Sequence, residues 1–436
     1  MREMKDSGVE WIGEIPEDWR LERLQWHLYE IVEKNDPIIT EQVLSLTNKK
    51  GVIPYEEKGA QGNVSKENYA GYKIAYPNTI VANSMNILIG SVGYSSLYGC
   101  VSPVYYVFKE KEGTSLHFIN YIMQTSQFQK ELRKYANGIL EIRLRVSSSN
   151  ILKRMCVFPS YSEQKKIVAY LDAKCSKIDE IIEKQQAIIE KLKEYKLSVI
   201  TEVVTKGLNP DVEVMESGAE FVGKIPQNWS IAKLGNLFDF IGGYAFNSEM
   251  YVSESQNQVV RIGNVKNGYM LLDSNPVFIN DETAEQANKF LIKPNYILFT
   301  MTGTKGKRDY FFTHVVTEED CKGKRLYINQ RVGCFVAKKG VHPAYYGYLL
   351  KDNKILDGIF LYETGTANQG NLGIDSISRT KVHVPPYEEQ CKIAEYLDKK
   401  CNLIDSNIFE KGRLIIKLQE YKKSLIYEVV TGKKEV

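Results

Sequence analysis

The sequence is poor in the residues that build metal and redox centres. Five histidines are scattered along 436 residues with no H-x-x-x-H pair, so metal ligation is not expected. The seven cysteines (Cys100, Cys156, Cys175, Cys321, Cys334, Cys391 and Cys401) are odd in number, and no two are spaced C-x-x-C. That argues against zinc ribbons, dithiol redox pairs and a disulfide framework. Such usage fits a reduced, intracellular protein, and a cytoplasmic location is expected. No apolar run approaches the roughly 20 residues of a membrane-spanning helix. The opening MREMKDSGVEWIGEIPEDW lacks the apolar stretch of a secretory signal. An excess of one charge is missing too: 57 Lys and Arg against 54 Asp and Glu leave a net +3. That is too mild to declare nucleic-acid binding from composition, yet it permits a local basic surface.

What the chain has is a repeat. Hydrophobic residues at 43% and charged residues at 25% describe a globular protein, and the length allows two or three domains. YSEQKKIVAYLDAKCSKIDEII from Tyr161 matches YEEQCKIAEYLDKKCNLIDSNI from Tyr387, 226 positions later. The match runs ungapped through KLKEYKLSVITEVVT, ending at Thr205, and KLQEYKKSLIYEVVT, ending at Thr431. Upstream, Glu10-Trp11-Ile12-Gly13-Glu14-Ile15-Pro16 recurs as Glu220-Phe221-Val222-Gly223-Lys224-Ile225-Pro226, and Trp19 answers Trp229. Weaker echoes pair Pro77-Asn78-Thr79-Ile80-Val81 with Pro294-Asn295-Tyr296-Ile297-Leu298, and Asn137-Gly138 with Thr364-Gly365. The order is entry motif, variable region, long helix, and then the same again.

The repeated segment reads as helix. Leu171, Cys175, Ile178, Ile182, Gln185, Ile189, Leu192 and Val199 alternate by fours and threes, with Lys196 in the remaining slot. That is a heptad seam. Leu397, Cys401, Ile404, Ile408, Lys411, Ile415, Leu418, Lys422 and Leu425 repeat it. Gly207 with Asn209-Pro210 should stop the first helix. A helix of about 40 residues spans about 60 Å. The variable regions read as strands around residues 74–81, 104–108, 296–300 and 331–336, with short helices around 116–136 and 343–360. The expected fold is α/β (α+β). Two mixed globular domains are separated by two long helices that form an antiparallel coiled coil with pseudo-twofold symmetry. Gln185 opposite Lys411 would fix its register.

These motifs resemble the specificity subunit of type I restriction–modification systems. The resemblance rests on Ser7-Gly8-Val9-Glu10-Trp11-Ile12-Gly13-Glu14-Ile15-Pro16 with Trp19, and on its copy. It rests further on the helix starts Pro159-Ser160-Tyr161-Ser162-Glu163-Gln164 and Pro385-Pro386-Tyr387-Glu388-Glu389-Gln390. Leu298-Phe299-Thr300-Met301-Thr302-Gly303-Thr304 and Asn329-Gln330-Arg331-Val332-Gly333 add to it. It implies a non-catalytic subunit with two target-recognition domains, 1–160 and 208–386, and two conserved spacer helices, 161–207 and 387–436. Such a subunit binds a bipartite double-stranded DNA site. It docks two adenine-N6 methyltransferase subunits and restriction subunits. S-adenosylmethionine, ATP and magnesium belong to those partners, and this chain holds no cofactor. A related methyltransferase–nuclease system without translocation, or a stand-alone DNA-binding adaptor, is the alternative. Where the second module has Thr302-Gly303-Thr304, the first has Asn86-Ile87-Leu88.

Candidate DNA contacts each have a plainer reading. Thr302 and the basic loop Lys305, Lys307 and Arg308 fail the spacing of a phosphate-binding P-loop. They read as a loop touching DNA phosphate or as a solvated hairpin. Arg143 and Arg145 alternate with apolar residues, and they read as base contacts or as charges on an edge strand. Asn368, Gln369 and Asn371 carry amides suited to adenine edges, or form a turn. Asn329, Gln330 and Arg331 follow a strand, as do Asn83 and Asn86; each could face DNA or cap a turn. Val384-Pro385-Pro386-Tyr387 lacks the Asn of a methyltransferase motif and reads as a helix-entry turn.

Overall fold

A computed structural model describes residues 2–47, 51–59, 69–138, 144–366 and 368–436. The chain forms two compact units, Met1–Ala187 with Lys411–Val436, and Ile188–Glu410. No helix among the described residues is long and apolar enough to cross a membrane.

In the first unit, strand Met4–Asp6 pairs with Glu14–Pro16 as an entry hairpin. The main antiparallel sheet comprises β1 (Leu28–Ile31), β2 (Thr79–Asn83), β3 (Val92–Ser95) and β4 (Tyr105–Glu110), in the order β1-β4-β2-β3. Every residue of β2 is buried, because Ile80 and Ala82 enter one apolar cluster while Val81 enters another. The sequence suggests one strand over 74–81, but the chain breaks it into Lys73–Ala75 and β2. Asn78 makes the break at φ 61°, a left-handed conformation that asparagine tolerates. Two short helices follow, α1 (Leu116–Gln124) and α2 (Ser126–Arg133). Thr125 separates them, its hydroxyl accepting from the Phe128 N–H as an N-cap. Strand Met155–Phe158 then pairs with Arg20–Arg23 and leads into α3 (Tyr161–Lys206).

The second unit repeats this frame. Val214–Glu216 pairs with Lys224–Pro226. The sheet of β5 (Phe238–Gly242), β6 (Ile297–Thr300), β7 (Thr313–Val315) and β8 (Val332–Ala337) is ordered β5-β8-β6-β7. Asn295, at φ 67°, turns the chain into β6 as Asn78 does into β2. Helices α4 (Pro343–Leu349) and α5 (Asn353–Phe360) are separated by Asp352, whose carboxylate caps the Lys354 and Ile355 N–H groups. Strand Lys381–Val384 pairs with Ser230–Lys233 and leads into α6 (Tyr387–Val430). The unit adds a second sheet, in which Asn257–Val260 and Arg325–Ile328 run parallel.

The repeated motifs turn out to be fasteners. Gln164 is fully buried; its Oε1 accepts from the Ser115 N–H at 2.9 Å and its Nε2 donates to the Pro159 carbonyl at 3.0 Å. Gln390 does the same with His342 and Pro385, at 2.9 and 2.8 Å. Trp19 Nε1 donates to Glu163, and Trp229 Nε1 to Glu389, at 3.3 and 3.0 Å. The Pro-Pro-Tyr segment is the helix-entry turn, since α6 begins at Tyr387. Replacing Gln390 by Ala strands a buried N–H and a buried carbonyl. The expected cost is about 2–4 kcal/mol, read as a lower denaturation midpoint.

Each unit holds halves of both long helices, packed antiparallel. In the first, Asp179 bonds Lys422 at 2.6 and 2.7 Å, and Lys411 Nζ donates to Gln185 Oε1 at 3.2 Å. In the second, Lys196 bonds Asp405 at 2.6 and 2.8 Å. The two ion pairs join repeat-equivalent residues, and Gln185 meets its own equivalent, Lys411, as the seam anticipates. The first unit's main core includes Leu171, Cys175 and Ile178 of α3 with Leu425, Ile426 and Val429 of α6. The second's includes Val199, Ile200 and Val203 with Ile393, Leu397 and Cys401. Gly207, at φ 81°, closes α3 with its N–H on the Val203 carbonyl, 3.0 Å away.

Candidate nucleic-acid interface

In the second unit, three segments distant in sequence converge past the end of β6. Thr302 and Gly303 form a short strand against Gln369–Asn371, which in turn pairs with Thr364–Thr366. The Leu372 N–H donates to the Met301 carbonyl at 2.9 Å, and the Met301 N–H donates to the Arg331 carbonyl at 3.1 Å. Thus Thr302, Lys305, Lys307, Arg308, Arg331, Asn368, Gln369 and Asn371 sit on adjoining segments. The side chains of Lys305, Lys307, Arg308, Gln330, Arg331, Asn368, Gln369 and Asn371 are exposed. Asn329 is half-buried in the turn before β8, and its N–H donates to the Val260 carbonyl at 3.1 Å.

The basic loop is tied down by carboxylates that sequence reading missed. Arg308 ion-pairs with Asp357 of α5. Glu363 accepts from the Gly306 N–H at 3.0 Å and from the Tyr310 hydroxyl at 2.6 Å. Burial, then the hydrogen bond to Glu363, pushes the Tyr310 phenol up. Lys305 Nζ donates to the Gly365 carbonyl at 3.0 Å. The Thr304 side chain and N–H hold the Asp309 carboxyl below its usual range. Glycine is required at the centre: a Cβ on Gly303 would lie 2.5 Å from the Tyr310 ring, and one on Gly370 2.7 Å from its hydroxyl. These acids lie some 50–60 residues from the loop, and no local pattern marks them. Lys307 has no side-chain acceptor among the described residues.

The first unit builds a comparable arrangement with different side chains. Asn137 and Arg145 exchange backbone hydrogen bonds at 2.8 and 2.9 Å. The Val146 N–H donates to the Ser84 carbonyl at 3.1 Å, as Leu372 does to Met301. This frame sets Met85-Asn86-Ile87, rather than Asn86-Ile87-Leu88, against Thr302-Gly303-Thr304. Asn86 and Arg145 are exposed, and an Arg145 Nη2 lies 3.7 Å from the Met85 sulfur. Asn83 is buried, and its Oδ1 accepts from the Met85 N–H at 3.0 Å, so the turn uses its side chain. It follows a strand covered on both faces, which the sequence could not reveal. Arg143 lies outside the described residues, as does Ala367 beside Asn368.

Among the described residues, no group of three or more His, Cys, Asp or Glu could hold a metal ion. The loop after Thr302 leads into Tyr310 and β7, not into the helix a P-loop requires.

Residues 226–419 match the family model of the type I restriction modification DNA specificity domain. The MjaVIII specificity subunit of Methanocaldococcus jannaschii is 23% identical over 431 residues, covering 96% of this chain and 93% of that protein. The EcoKI specificity subunit of Escherichia coli is 22% identical over 48% of this chain and 44% of its own length. Among solved structures, a chain described under "Structural basis underlying complex assembly and conformational transition of the type I R-M system" superposes with a TM-score of 0.73 at 13% identity. It covers 96% of this chain and 99% of that one. The HsdS subunit of Thermoanaerobacter tengcongensis gives 0.55 at 13% identity, over 98% and 100%. The family model matches most of the second module, the internal repeat gives the first module the same frame, and the fold agrees over nearly the whole length: the chain is similar to type I restriction–modification specificity subunits from end to end.

Proposed function

We propose that this chain is a type I restriction–modification specificity subunit that reads a two-part DNA site, one half through each globular region, without catalysing a reaction itself. The observation that carries the reading is a single frame built twice with different loops at corresponding places. In the second module, Lys305, Lys307 and Arg308 would meet phosphates, while Asn329, Gln330, Arg331, Asn368, Gln369 and Asn371 would meet base edges, with Thr302 supporting the hairpin. In the first module, Asn86, Arg143 and Arg145 take that part, and Asn83 shapes the turn. Residues 1–160 and 208–386 are the recognition domains in this reading; 161–207 and 387–436 are the spacer.

The helices would dock two adenine-N6 methyltransferase subunits, with restriction subunits joining the complex. Leu403 and Phe409, 61% and 64% exposed on α6, support a docking role. Methyl donor, ATP and magnesium belong to those partners. A cytoplasmic location accords with DNA as the ligand.

The test is base-resolution methylation mapping in cells expressing this chain with its methyltransferase. Inserting one heptad at equivalent positions of both long helices adds about 10 Å to each. Axial rise near 3.4 Å per base pair makes that worth up to about three base pairs of spacer. A longer spacer between unchanged half-sites is the expected result. An active complex whose spacer never changes would overturn the reading of the long helices as the element that sets the distance between half-sites.

A further inference from the structure

The second unit holds a cleft that none of the candidate contacts above uses. Its volume is about 300 Å³, and Arg261, Ile262, Gly263, Asn264, Ser274 and Asn275 line it. Arg261 follows Asn257–Val260, which pairs in parallel with Arg325–Ile328. Both strands end on the same side, so Arg261 and Asn329 leave the sheet together. Ligands of open sheets gather beyond the carboxyl ends of parallel strands. The Asn329 N–H donates to the Val260 carbonyl at 3.1 Å, and the Gln330 N–H to the Tyr244 carbonyl at 2.9 Å. The close crossing needs glycine at 243, where a Cβ would lie 1.9 Å from the Asn329 oxygen. The Arg261 loop therefore borders the Asn329–Arg331 turn, which reaches the Thr302 hairpin through Met301.

The guanidinium is set in place rather than loose. Its Nη2 donates to the Asn275 carbonyl, and the main-chain N–H of Arg261 fixes the backbone beneath it by donating to Asn264 Oδ1 at 2.9 Å. Asn264 is itself buried and donates to the Leu271 and Ser274 carbonyls at 2.8 and 3.1 Å. Yet Arg261 Nε is buried without a hydrogen-bond partner. No carboxylate among the described residues pairs with this arginine. A cation fixed at the rim of an open cleft and paired with no carboxylate is a preorganised fork, and it is the terminal guanidinium nitrogens, not the buried Nε, that can meet a ligand. Arginine forks of this kind pair with the O6 and N7 of guanine. Surface lysines and arginines that serve phosphates need no such anchoring.

We propose that Arg261 is a specificity-determining residue that reads a guanine in the half-site of the second module, with the cleft beside Gly263 admitting the base edge. The inference rests on the two-part recognition proposed above. It adds a contact, on the Arg-Ile-Gly-Asn turn after Asn257–Val260, that sequence reading did not single out.

The test is methylation mapping with the full complex and two variants. Arg261→Ala removes the fork. Gly263→Leu fills the cleft: a Cβ there meets nothing within 4 Å, and the backbone is not left-handed, so the fold should bear it. The expected result for Arg261→Ala is a roughly ten- to hundred-fold loss of discrimination at one G·C pair of one half-site, with the other half-site unaltered. Gly263→Leu should weaken modification through that same half-site. Uniform weakening of every site, with a salt dependence shallower by about one phosphate contact, would make Arg261 a backbone ligand and overturn the proposal. Unchanged discrimination in both variants overturns it as well. If Arg261→Ala fails to assemble, Gly263→Leu decides alone. A wild-type complex with no two-part site would defeat the parent reading; a wild-type two-part site with silent variants defeats only this one.

Discussion

A chain whose residues 234–380 are exchanged for those of a relative with the same frame will direct methylation to a site altered in one half only. The ends of that segment make the graft feasible. Ser230–Lys233 and Lys381–Val384 pair with each other, and the Leu234 N–H donates to the Thr380 carbonyl at 2.9 Å, so both junctions lie side by side. The exchanged part carries every candidate contact of the second module and leaves both long helices intact. It must still supply two donors to the retained helices: the Tyr345 hydroxyl donates to the Val204 carbonyl at 2.9 Å, and the His342 N–H donates to Gln390 Oε1 at 2.9 Å. Each mismatched pair costs about 1–3 kcal/mol, nearly additively, so several mismatches should suppress modification of the original site by about a thousand-fold or more. Methylome sequencing reads this directly. A site changed in both halves, or in neither, would mean that the two modules do not read separately.

The second unit should also lose stability in mild acid, through His383. This residue is 1% exposed on Lys381–Val384, with the Trp229 ring 6.1 Å away edge-on. Neither ring nitrogen has a well-formed hydrogen bond. Burial is the dominant cause that pushes its pKa down to about 4; the Asp352 charge and the nearby Val222 backbone offset only part of it. The unfolded chain takes up a proton near pH 6.5, whereas the folded one resists until about 4. Unfolding is therefore proton-coupled between those values, and stability falls as pH drops through the window. The full effect is about 3 kcal/mol, at 1.36 kcal/mol per unit. It is complete below about pH 4 and absent above pH 7. Burial also lowers His342, which acts in the same direction. Replacing His383 by Leu should remove its share: the stability difference between pH 7 and pH 4 shrinks by about 3 kcal/mol in chemical denaturation. An unchanged pH profile would show that the imidazole finds a partner in solution.

Much of the architecture was legible because it is local and periodic. The heptad spacing from Leu171 and from Leu397 marks two helices that exist, with Gln185 meeting Lys411 between them. Pro77-Asn78 and Pro294-Asn295 echo each other because each places an asparagine at positive φ before a central strand. The helices around 116–136 and 343–360 appear as pairs, since Thr125 and Asp352 each cap a second start. Candidate contacts were harder to read. Asn83 and Asn86 stand three residues apart on one turn, yet only Asn86 is exposed, because β2 is covered on both faces. Arg261 carries no local mark in the sequence.

The sequence by itself determined the two-module plan, the long helices and the resemblance to a known family. These follow from periodicity and ordered motifs, which survive without knowledge of any long-range contact. Only the tertiary structure decided what those motifs do. Gln164 and Gln390 join each helix start to a residue about 50 positions earlier. It also decided which loops stand together. Thr302 pairs with Asn371, Arg308 with Asp357, and Asn329 with Val260 across separations of 69, 49 and 69 residues. Such closures are made by packing and hydrogen bonding across the fold, and the entropy of bringing the ends together leaves no pattern in the residues between them.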